Sequence, residues 1–257
     1  MTVLLLGDIT GRSRVALRML SAVLEARGHE VLMLPTALVS NTLNLGRHEA
    51  LDTTDYLLRS LGAWEDIGFS YDMAYIGYIT GLEQAEKLCA VADKLRARGV
   101  PVVLDPILGD NGKKYNSVSA SQMAGMRLLA QHADLITPNA TEACLLLGRA
   151  YDPAGGEAPV CALCEKCGCS VLITGAADSE GREDKGAMVG FDAKTGCTFA
   201  IGYERVPGHR WGTGDLFTGL LMDGLLAGRS LEDAACEAGA HVAAQLSGEE
   251  RSLLPEQ

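Results

Sequence analysis

The sequence is short of positive charge. Its 257 residues carry 22 Lys and Arg against 33 Asp and Glu, which gives a formal net charge of −11 at pH 7. The basic residues are scattered along the chain, and a charge of this sign repels both polyphosphate backbones and anionic lipid surfaces. These features argue against nucleic acids and membranes as partners.

Long hydrophobic runs are also missing. No apolar run approaches the roughly 18 residues that a membrane-spanning helix needs. The first apolar run, at residues 1–6, lacks the basic flank of a signal peptide and is soon interrupted by Asp8. We therefore expect a cytoplasmic protein. The chain has no repeat, linker or low-complexity stretch and is 47% hydrophobic, so we expect residues 1–257 to form a single domain.

Two common nucleotide-binding motifs are absent as well. Residues 7–11 (GDITG) do not have the GxGxxG spacing of dinucleotide-binding folds, and the chain contains no GxxxxGK[ST] loop of P-loop ATPases. If the protein binds phosphate groups, another part of the chain must hold them.

Four of the eight cysteines crowd into residues 161–169 (CALCEKCGC). A metal site is one interpretation, but the last two cysteines are too close for a ferredoxin cluster, and no second CxxC or HxxxH pair lies at zinc-finger distance. We favour a short helix that ends at Gly168, with Cys161, Cys164 and Cys167 packed as small hydrophobic residues against a sheet. Without a secretory signal, we expect no disulfides.

Short apolar runs alternate with helical patterns along the chain. The runs are continuous, as in strands that are buried on both faces. They occupy residues 3–6, 31–34, 73–76, 102–104, 135–136 and 171–173. Helical stripes lie between them, for example over residues 16–24 and 82–95. This order predicts an α/β fold with a mostly parallel sheet, and only residues 187–191 and 197–201 resemble an antiparallel hairpin.

Polar residues follow the predicted strands. Ligands of open α/β sheets bind beyond the carboxyl ends of the strands. The residues at these positions are Asp8, Ser40, Asn41, Gly77, Tyr78, Asp105, Pro106, Thr137, Pro138, Asn139, Thr174 and Gly175. Some have a purely structural alternative: Asp8 could cap a helix, Tyr78 could be an aromatic at the edge of the core, and Asp105 could bond to the turn after it. Together they predict a ligand cleft.

A late glycine motif, Gly212-Thr213-Gly214-Asp215, precedes an apolar run with the length and spacing of a helix. Glycines let the backbone approach a ligand closely, and the N–H groups at a helix N-terminus bind anions. A carboxylate inside an anion site is unfavourable unless it accepts the proton of a hydroxyl that attacks a phosphate. Asp215 is therefore a candidate general base; the alternative is that it only caps the helix.

Three motifs, in their order and spacing, resemble the ribokinase-like superfamily and specifically its pyridoxal/pyridoxamine kinase branch. They are DPILGDNG at 105–112, TPNATE at 137–142 and GTGD at 212–215. The resemblance runs from the first strand to Gly228. It implies a doubly wound α/β fold with helices on both faces, commonly a homodimer, and an ATP-dependent kinase for a primary alcohol, the 5′-hydroxymethyl group of vitamin B6.

The resemblance also implies what the glycine motif does. Asp215 would be the general base that accepts the proton of the alcohol. The backbone N–H groups of Gly212, Thr213 and Gly214 would hold the transferring phosphoryl group.

The two upstream motifs would hold the nucleotide and its cations. By resemblance, Asp105, Asn139 and Glu142 would arrange Mg²⁺, its waters and a monovalent cation, with Asp105 and Glu142 as the metal ligands. Thr174, together with Gly175, would contact the phosphates of ATP. Mg²⁺ keeps several waters and binds few carboxylates, so this set of residues suits Mg²⁺ better than zinc.

The substrate end departs from the family pattern. The loop after Asp8 is shorter than the DISCFGKCSL-like loop of close relatives, and Leu43 stands where the family's THTGG or SNHTGY pattern has a ring-contacting threonine. Tyr78 matches the aromatic residue that packs beside the ring, and we expect Asp8, Asn41 and Tyr78 to contact the substrate. The alternatives are a kinase for another small alcohol, such as hydroxymethylpyrimidine or a sugar, and a non-catalytic nucleotide-binding protein.

Overall fold

The computed structural model of the chain describes residues 1–42, 47–152, 157–177, 182, 184–206 and 211–248. Its helices are α1 (Leu17–Ala26), α2 (Thr54–Ile67), α3 (Leu82–Ala97), α4 (Ala120–Leu129), α5 (Ala140–Leu147), α6 (Glu157–Cys167), α7 (Thr213–Leu226) and α8 (Leu231–Ser247). Its strands are β1 (Thr2–Thr10), β2 (Glu30–Val39), β3 (Ala50–Asp52), β4 (Met73–Ile76), β5 (Val102–Leu104), β6 (Gly109–Asp110), β7 (Lys113–Lys114), β8 (Leu135–Ile136), β9 (Ser170–Ala177), β10 (Lys185–Asp192) and β11 (Cys197–Glu204).

Nine of these strands form one sheet, in the order β11-β10-β9-β8-β5-β4-β1-β2-β3. Every neighbouring pair from β9 to β2 is parallel. The sheet is antiparallel only at its two sides, where β3 pairs with β2 and the hairpin β10–β11 pairs with β9. The predicted mostly parallel sheet and its antiparallel hairpin before α7 are confirmed.

Buried residues form two large clusters, one on each face of the sheet. Because side chains alternate along a strand, Leu4 and Leu6 of β1 join one cluster while Val3 and Leu5 join the other. The first cluster packs against helices α2 to α6, and the second against α1, α7 and α8. Helices therefore cover both faces, which confirms the doubly wound arrangement. No helix in the described ranges has the length and apolar character to cross a membrane.

Two strands run further than the apolar pattern predicts. β1 continues to Thr10, because β2 follows it past a register shift between Gly7 and Asp8. β9 continues to Ala177, because its second half pairs with β10. Asp8 and Thr174 therefore lie inside strands and not directly after them, although both remain toward the carboxyl ends.

The cysteine-rich segment forms the predicted helix. α6 ends at Cys167, immediately before Gly168. Cys167 and Cys169 are buried in the first cluster, Cys164 packs against it, and Cys161 is half-buried. Packing against the sheet therefore accounts for Cys164 and Cys167 of the helix and for Cys169 just after it, whereas Cys161 lies outside this cluster.

Gly212 and Gly214 allow a matched stability test. Gly212 has a left-handed backbone (φ +84°), and an added Cβ would lie 3.1 Å from the carbonyl oxygen of Arg14. We expect Gly212→Ala to lower the free energy of unfolding by about 1–2 kcal/mol, the cost of a left-handed alanine. Gly214→Ala is the control, because its Cβ would meet no atom within 4 Å and alanine favours helix. Equal losses for both variants in urea denaturation would contradict this prediction.

Candidate active site

The residues predicted from the sequence meet at one edge of the sheet. All strands from β9 to β2 are parallel, so their carboxyl ends lie side by side. Asp8 lies near the end of β1, Tyr78 and Asp105 follow β4 and β5, Asn139 follows β8, and Thr174 lies in β9. This is the edge at which open α/β sheets bind ligands.

Asp215 lies in the first turn of α7 and faces the start of α1. Gly212 is the N-cap of α7 and makes no side-chain cap hydrogen bond. The Asp215 carboxylate instead accepts a hydrogen bond at Oδ2 from the Ala16 N–H, at 2.8 Å. The alternative that Asp215 caps its own helix is therefore wrong. Burial raises the pKa of Asp215, and the Ala16 N–H opposes that rise.

The loop that supplies this N–H has an unusual backbone. Ser13 and Ala16 both have positive φ, of 68° and 50°, which is uncommon for residues other than glycine. Strained conformations of this kind persist where the surrounding structure compensates for them and often occur at functional sites. Here the Ala16 N–H gains a partly buried carboxylate as its acceptor.

Asp105 lies at the end of β5, on the side of the sheet that α7 covers. Its N–H donates to the Ile76 carbonyl, which continues the sheet, and its carboxylate accepts a long hydrogen bond, 3.5 Å, from the Thr218 hydroxyl. Burial raises the pKa of Asp105 to about 7, and the charge of Asp215 adds to the shift. The Asp105 carboxylate is thus close to Asp215 and loosely held, with lone pairs left for a cation.

Asp8 is a second buried acid in the cleft, with 5% of its surface exposed. Burial raises the pKa of Asp8 to about 7, and the charge of Asp215 contributes. The charge of Asp8 in turn helps to raise the pKa of Tyr78, after burial. Asp8 therefore interacts electrostatically with Asp215 and with Tyr78, the aromatic residue at the substrate end.

Glu142 connects the loop after β5 with the loop after β8. Its Oε2 accepts from the Asn139 N–H at 2.9 Å, and its Oε1 accepts from the Leu108 N–H at 3.0 Å. Asn139 completes the capping box of α5, and its side-chain amide donates to the Gly109 carbonyl at 2.8 Å. Burial and the neighbouring Asp105 raise the pKa of Glu142 well above its usual value. Both carboxylate oxygens of Glu142 are therefore engaged by backbone donors.

The donor set fits a magnesium ion better than a metal that needs a dense cluster of ligands. The described residues contain no group of three or more His, Cys, Asp or Glu that could hold a metal. Mg²⁺ is usually held by one or two carboxylates together with waters and substrate phosphates. Asp105 has lone pairs available for this role. Each Glu142 oxygen already accepts one N–H, which leaves it fewer lone pairs than Asp105 for a cation or its waters.

Thr174 and Gly175 lie beside the asparagine of the second motif. Thr174 forms an isolated parallel bridge with Asn139, and its N–H donates to the Pro138 carbonyl. Gly175 is exposed at this edge. The structure therefore brings these residues into the same row of strand ends as Asp105.

The residues predicted to contact the substrate differ in their surroundings. Tyr78 is buried in a small apolar cluster with Ala37 and Val39. Asn41 is half-buried, but its side-chain amide donates to the backbone of its own loop, at Thr42 and Arg47. This engagement leaves the Asn41 amide less available to a substrate than expected. The predicted difference at position 43 lies outside the described residues.

Two buried hydroxyl groups in the cleft region are not predicted from the sequence. Thr10 and Thr42 expose 3% and 8% of their surfaces, and neither hydroxyl has a hydrogen-bond partner among the described residues. Thr10 lies two residues after Asp8 and so on the same face of β1. A buried hydroxyl is costly unless it is hydrogen-bonded, so a ligand or water is the expected partner. Threonine is common in strands, and no sequence pattern marks these two.

The chain is similar to known proteins in both sequence and structure. The model of the phosphomethylpyrimidine kinase family matches residues 27–253. A Schizosaccharomyces pombe protein named as a candidate pyridoxal kinase is 28% identical over 207 residues, which cover 77% of this chain and 65% of that protein. The chain thus spans slightly less than two thirds of the length of this relative.

Solved structures extend the likeness to almost the whole fold. A candidate phosphomethylpyrimidine kinase from Bacteroides thetaiotaomicron, crystallised with pyridoxal, has a TM-score of 0.89 and 27% identity, and the match covers 96% of this chain and 87% of that one. Pyridoxal kinase from Lactobacillus plantarum has a TM-score of 0.82 and 28% identity, with 96% and 88% covered. The resemblance to pyridoxal kinases and the ribokinase-like fold are confirmed.

The contacts of Glu142 predict that its amide variant is destabilised. Glutamine has one acceptor oxygen, so in Glu142→Gln a backbone N–H would face the side-chain NH₂ and lose its partner. We expect the free energy of unfolding to fall by about 1–3 kcal/mol, the cost of an unsatisfied buried donor. The control is Glu86→Gln, the same change at an exposed position of α3. Equal unfolding midpoints for Glu142→Gln and wild type in urea would contradict the prediction.

The raised acid pKa values predict how stability depends on pH. The pKa of Asp8 and of Asp105 rises from 3.8 to about 7 on folding, so the folded state binds more protons between these values. Protonation of Asp8 and Asp105 stabilises the folded state. This stabilisation is complete below the unfolded pKa and is lost as the pH rises through about 7. Without added metal, we expect a lower Tm at about pH 8 than at about pH 5.5.

The variant Asp105→Asn tests whether this site causes the effect. The variant removes one of the two titrating carboxyls, so the drop in Tm between the two pH values should become smaller. Tm is measured by scanning calorimetry in a chelating buffer. A decrease in Tm between the two pH values that is as large in the variant as in wild type would contradict the assignment.

Proposed function

We propose that this chain, which belongs to the phosphomethylpyrimidine kinase family, is an ATP-dependent kinase that phosphorylates the 5′-hydroxymethyl group of a B6 vitamer. The observation that carries the proposal is the position of Asp215. Its carboxylate lies in the first turn of a helix that starts with a glycine cap, and it belongs to the same cleft as Asp8 and Asp105. Phosphoryl transfer requires a proton acceptor beside an anion site.

In the proposed reaction, the alcohol oxygen attacks the γ-phosphorus of ATP, and the bond from that phosphorus to the β,γ-bridging oxygen breaks. Asp215 takes the proton of the alcohol. The Ala16 N–H occupies Oδ2 of Asp215, which leaves Oδ1 for the proton. The raised pKa of Asp215 makes it a stronger base than an exposed aspartate.

The start of α7 would stabilise the transferring group. The N–H groups of Gly212, Thr213 and Gly214 lie at or just before the first turn, where a helix favours negative charge. Such fixed donors act without reorganisation as charge develops in the transition state. Thr174 and Gly175, in the neighbouring row of strand ends, would contact the nucleotide phosphates.

The cations that accompany the nucleotide would lie by the two upstream motifs. Asp105 would bind Mg²⁺, while Glu142 would act through water and mainly hold the loops in place, and Asn139 would complete the set. Bound Mg²⁺ would neutralise charge on the phosphate oxygens. A monovalent cation at the same loops is part of the proposal.

The substrate ring would lie over the apolar cluster around Tyr78. Asp8 pairs in register with Ala37, and Thr10 with Val39, so polar groups of β1 lie beside apolar groups of β2. An aromatic ring with polar substituents suits such a surface. We favour a B6 vitamer because the similar Bacteroides thetaiotaomicron structure was crystallised with pyridoxal. The family match supports hydroxymethylpyrimidine as the second candidate.

We further propose that the kinase is one domain and acts as a homodimer. The resemblance to pyridoxal kinases supports both statements. Sedimentation equilibrium over a range of concentrations tests the dimer, and a monomer at all concentrations would contradict it.

The substrate is tested with a panel of alcohols, ATP and Mg²⁺. Pyridoxal, pyridoxamine, pyridoxine, hydroxymethylpyrimidine and common sugars are each incubated with the protein, and the phosphorylated products are identified by mass spectrometry. We expect the highest kcat/KM for a B6 vitamer. A product from hydroxymethylpyrimidine or a sugar alone would favour the other kinases, and nucleotide binding without any product would favour the non-catalytic protein.

The role of Asp215 is tested with Asp215→Asn. Asparagine has a similar volume and can still accept from the Ala16 N–H, but it cannot accept the proton. We expect kcat to fall about 10²- to 10⁴-fold, as for other general bases, with little change in nucleotide Kd. The control is Asp223→Asn on the same helix, whose carboxylate pairs with His29 at 2.9 Å; it should leave kcat unchanged. A kcat for Asp215→Asn within a few-fold of wild type would contradict the proposal.

A further inference from the structure

Tyr75 is a phenol in the middle of the sheet, directly below the cleft. It lies in β4, in register with Leu5 of β1 and Val103 of β5, and only 1% of its surface is exposed. Its ring belongs to the cluster on the face that α1 and α7 cover. Within the apolar run 73–76 it looks like an ordinary core residue, and the reaction described above gives it no role.

The Tyr75 ring runs along the sheet toward the carboxyl edge. A Cβ added to Gly77 would lie 2.5 Å from the Tyr75 hydroxyl oxygen, and a Cβ added to Gly7 would lie 3.6 Å from ring atom Cε1. The missing side chain of Gly77 therefore leaves the space that the phenol fills, while a Cβ at Gly7 would lie at ordinary contact distance from the ring. The hydroxyl reaches the level of Gly77, which lies two residues further along the same face of the sheet.

Asp105 lies at the same position along the strand direction as Gly77 and the Tyr75 hydroxyl. The Gly77 N–H donates to the Leu6 carbonyl, and the Asp105 N–H donates to the Ile76 carbonyl, so the chain around Gly77 lies between the ends of β1 and β5. Asp105 follows Val103 by two residues and so belongs to the same face as Tyr75. Thr218 of α7 approaches the Asp105 carboxylate at 3.5 Å, which confirms that this carboxylate is on the α7 side.

Electrostatics agree with the geometry. After burial, the charges that raise the pKa of Tyr75 belong to Asp105, Asp215, Asp8 and Glu142, and Asp105 contributes most among them. The phenol is therefore within reach of all four acids of the cleft, and it lies there as a neutral hydrogen-bond donor.

We propose that Tyr75 is a positioning residue of the active site, whose hydroxyl donates to the Asp105 carboxylate through one bridging water. The proposal rests on the proposed kinase function. Thr218 makes only a long hydrogen bond to Asp105 from the helix side, so a donor from the sheet side fixes the rotation of this carboxylate. A fixed carboxylate presents its free lone pairs to the cation without first losing rotational freedom.

The test is Tyr75→Phe, which removes only the hydroxyl and keeps the ring in the core. The measurement is the Kd of Mn²⁺ in the presence of ADP, from the electron paramagnetic resonance signal of free Mn²⁺, so that no alcohol and no turnover are needed. We expect the Kd to rise about tenfold, as for the loss of a hydrogen bond to a charged group, and the Kd for ADP without metal to stay unchanged. The Tm should change by no more than a few degrees.

The matched control is Tyr71→Phe, the same change in a partly buried tyrosine before β4, far from the carboxyl edge. An unchanged Mn²⁺ Kd in Tyr75→Phe would overturn this proposal. An equal rise in Tyr71→Phe would also overturn it, as would a parallel loss of metal-free ADP binding, because both would indicate a general structural effect. If wild type itself binds no Mn²⁺ with ADP, the proposed kinase function fails, and the role of Tyr75 fails with it.

Discussion

Hydrogen bonds from backbone N–H groups to buried and half-buried carboxylates are the interaction on which the rest of the site depends. A charge removed from water costs several kcal/mol unless it is paired or hydrogen-bonded. Here the Ala16 N–H holds Asp215, and the N–H groups of Leu108 and Asn139 hold Glu142. These bonds fix two carboxylates against the strand ends and leave Asp105 comparatively free, which suits its proposed role in binding a cation.

The same bonds connect the cleft to the fold. The bond from Ala16 joins the start of α1 to the start of α7, although the two residues are 199 positions apart in the chain. The bonds of Glu142 join the loop after β5 to the start of α5. Each depends on the doubly wound sheet, because the sheet brings these loops together. Folding and assembly of the site are therefore one process.

The fold could be predicted from the sequence because a parallel sheet buries both of its faces. Its strands then read as continuous apolar runs, such as residues 3–6 and 171–173, and these runs do lie in strands. The placement of the site followed from the polar residues after those runs, since carboxyl ends of parallel strands meet at one edge. Asp105, Asn139 and Thr174 lie together there, as expected.

The rest depends on backbone and packing details that residue types do not record. An N–H donor can come from any residue except proline, so nothing in the sequence marks Ala16 as the partner of Asp215. Tyr75 lies in an apolar run and resembles a core residue, because its hydroxyl reaches toward the cleft only where Gly77 makes room. Thr10 is not predicted as a cleft residue because the apolar run places the end of β1 before Asp8, whereas the strand continues to Thr10.

The most direct measurement is a crystal structure of the protein with a non-hydrolysable ATP analogue, Mg²⁺ and pyridoxal. We predict that the 5′-hydroxyl oxygen lies about 3 Å from Oδ1 of Asp215, within hydrogen-bond reach of the base. The γ-phosphate should lie over the first turn of α7, beside the backbone of Gly212 and Gly214. A pyridoxal hydroxyl directed away from Asp215, or a γ-phosphate far from the start of α7, would contradict the assignment of this cleft as a kinase site.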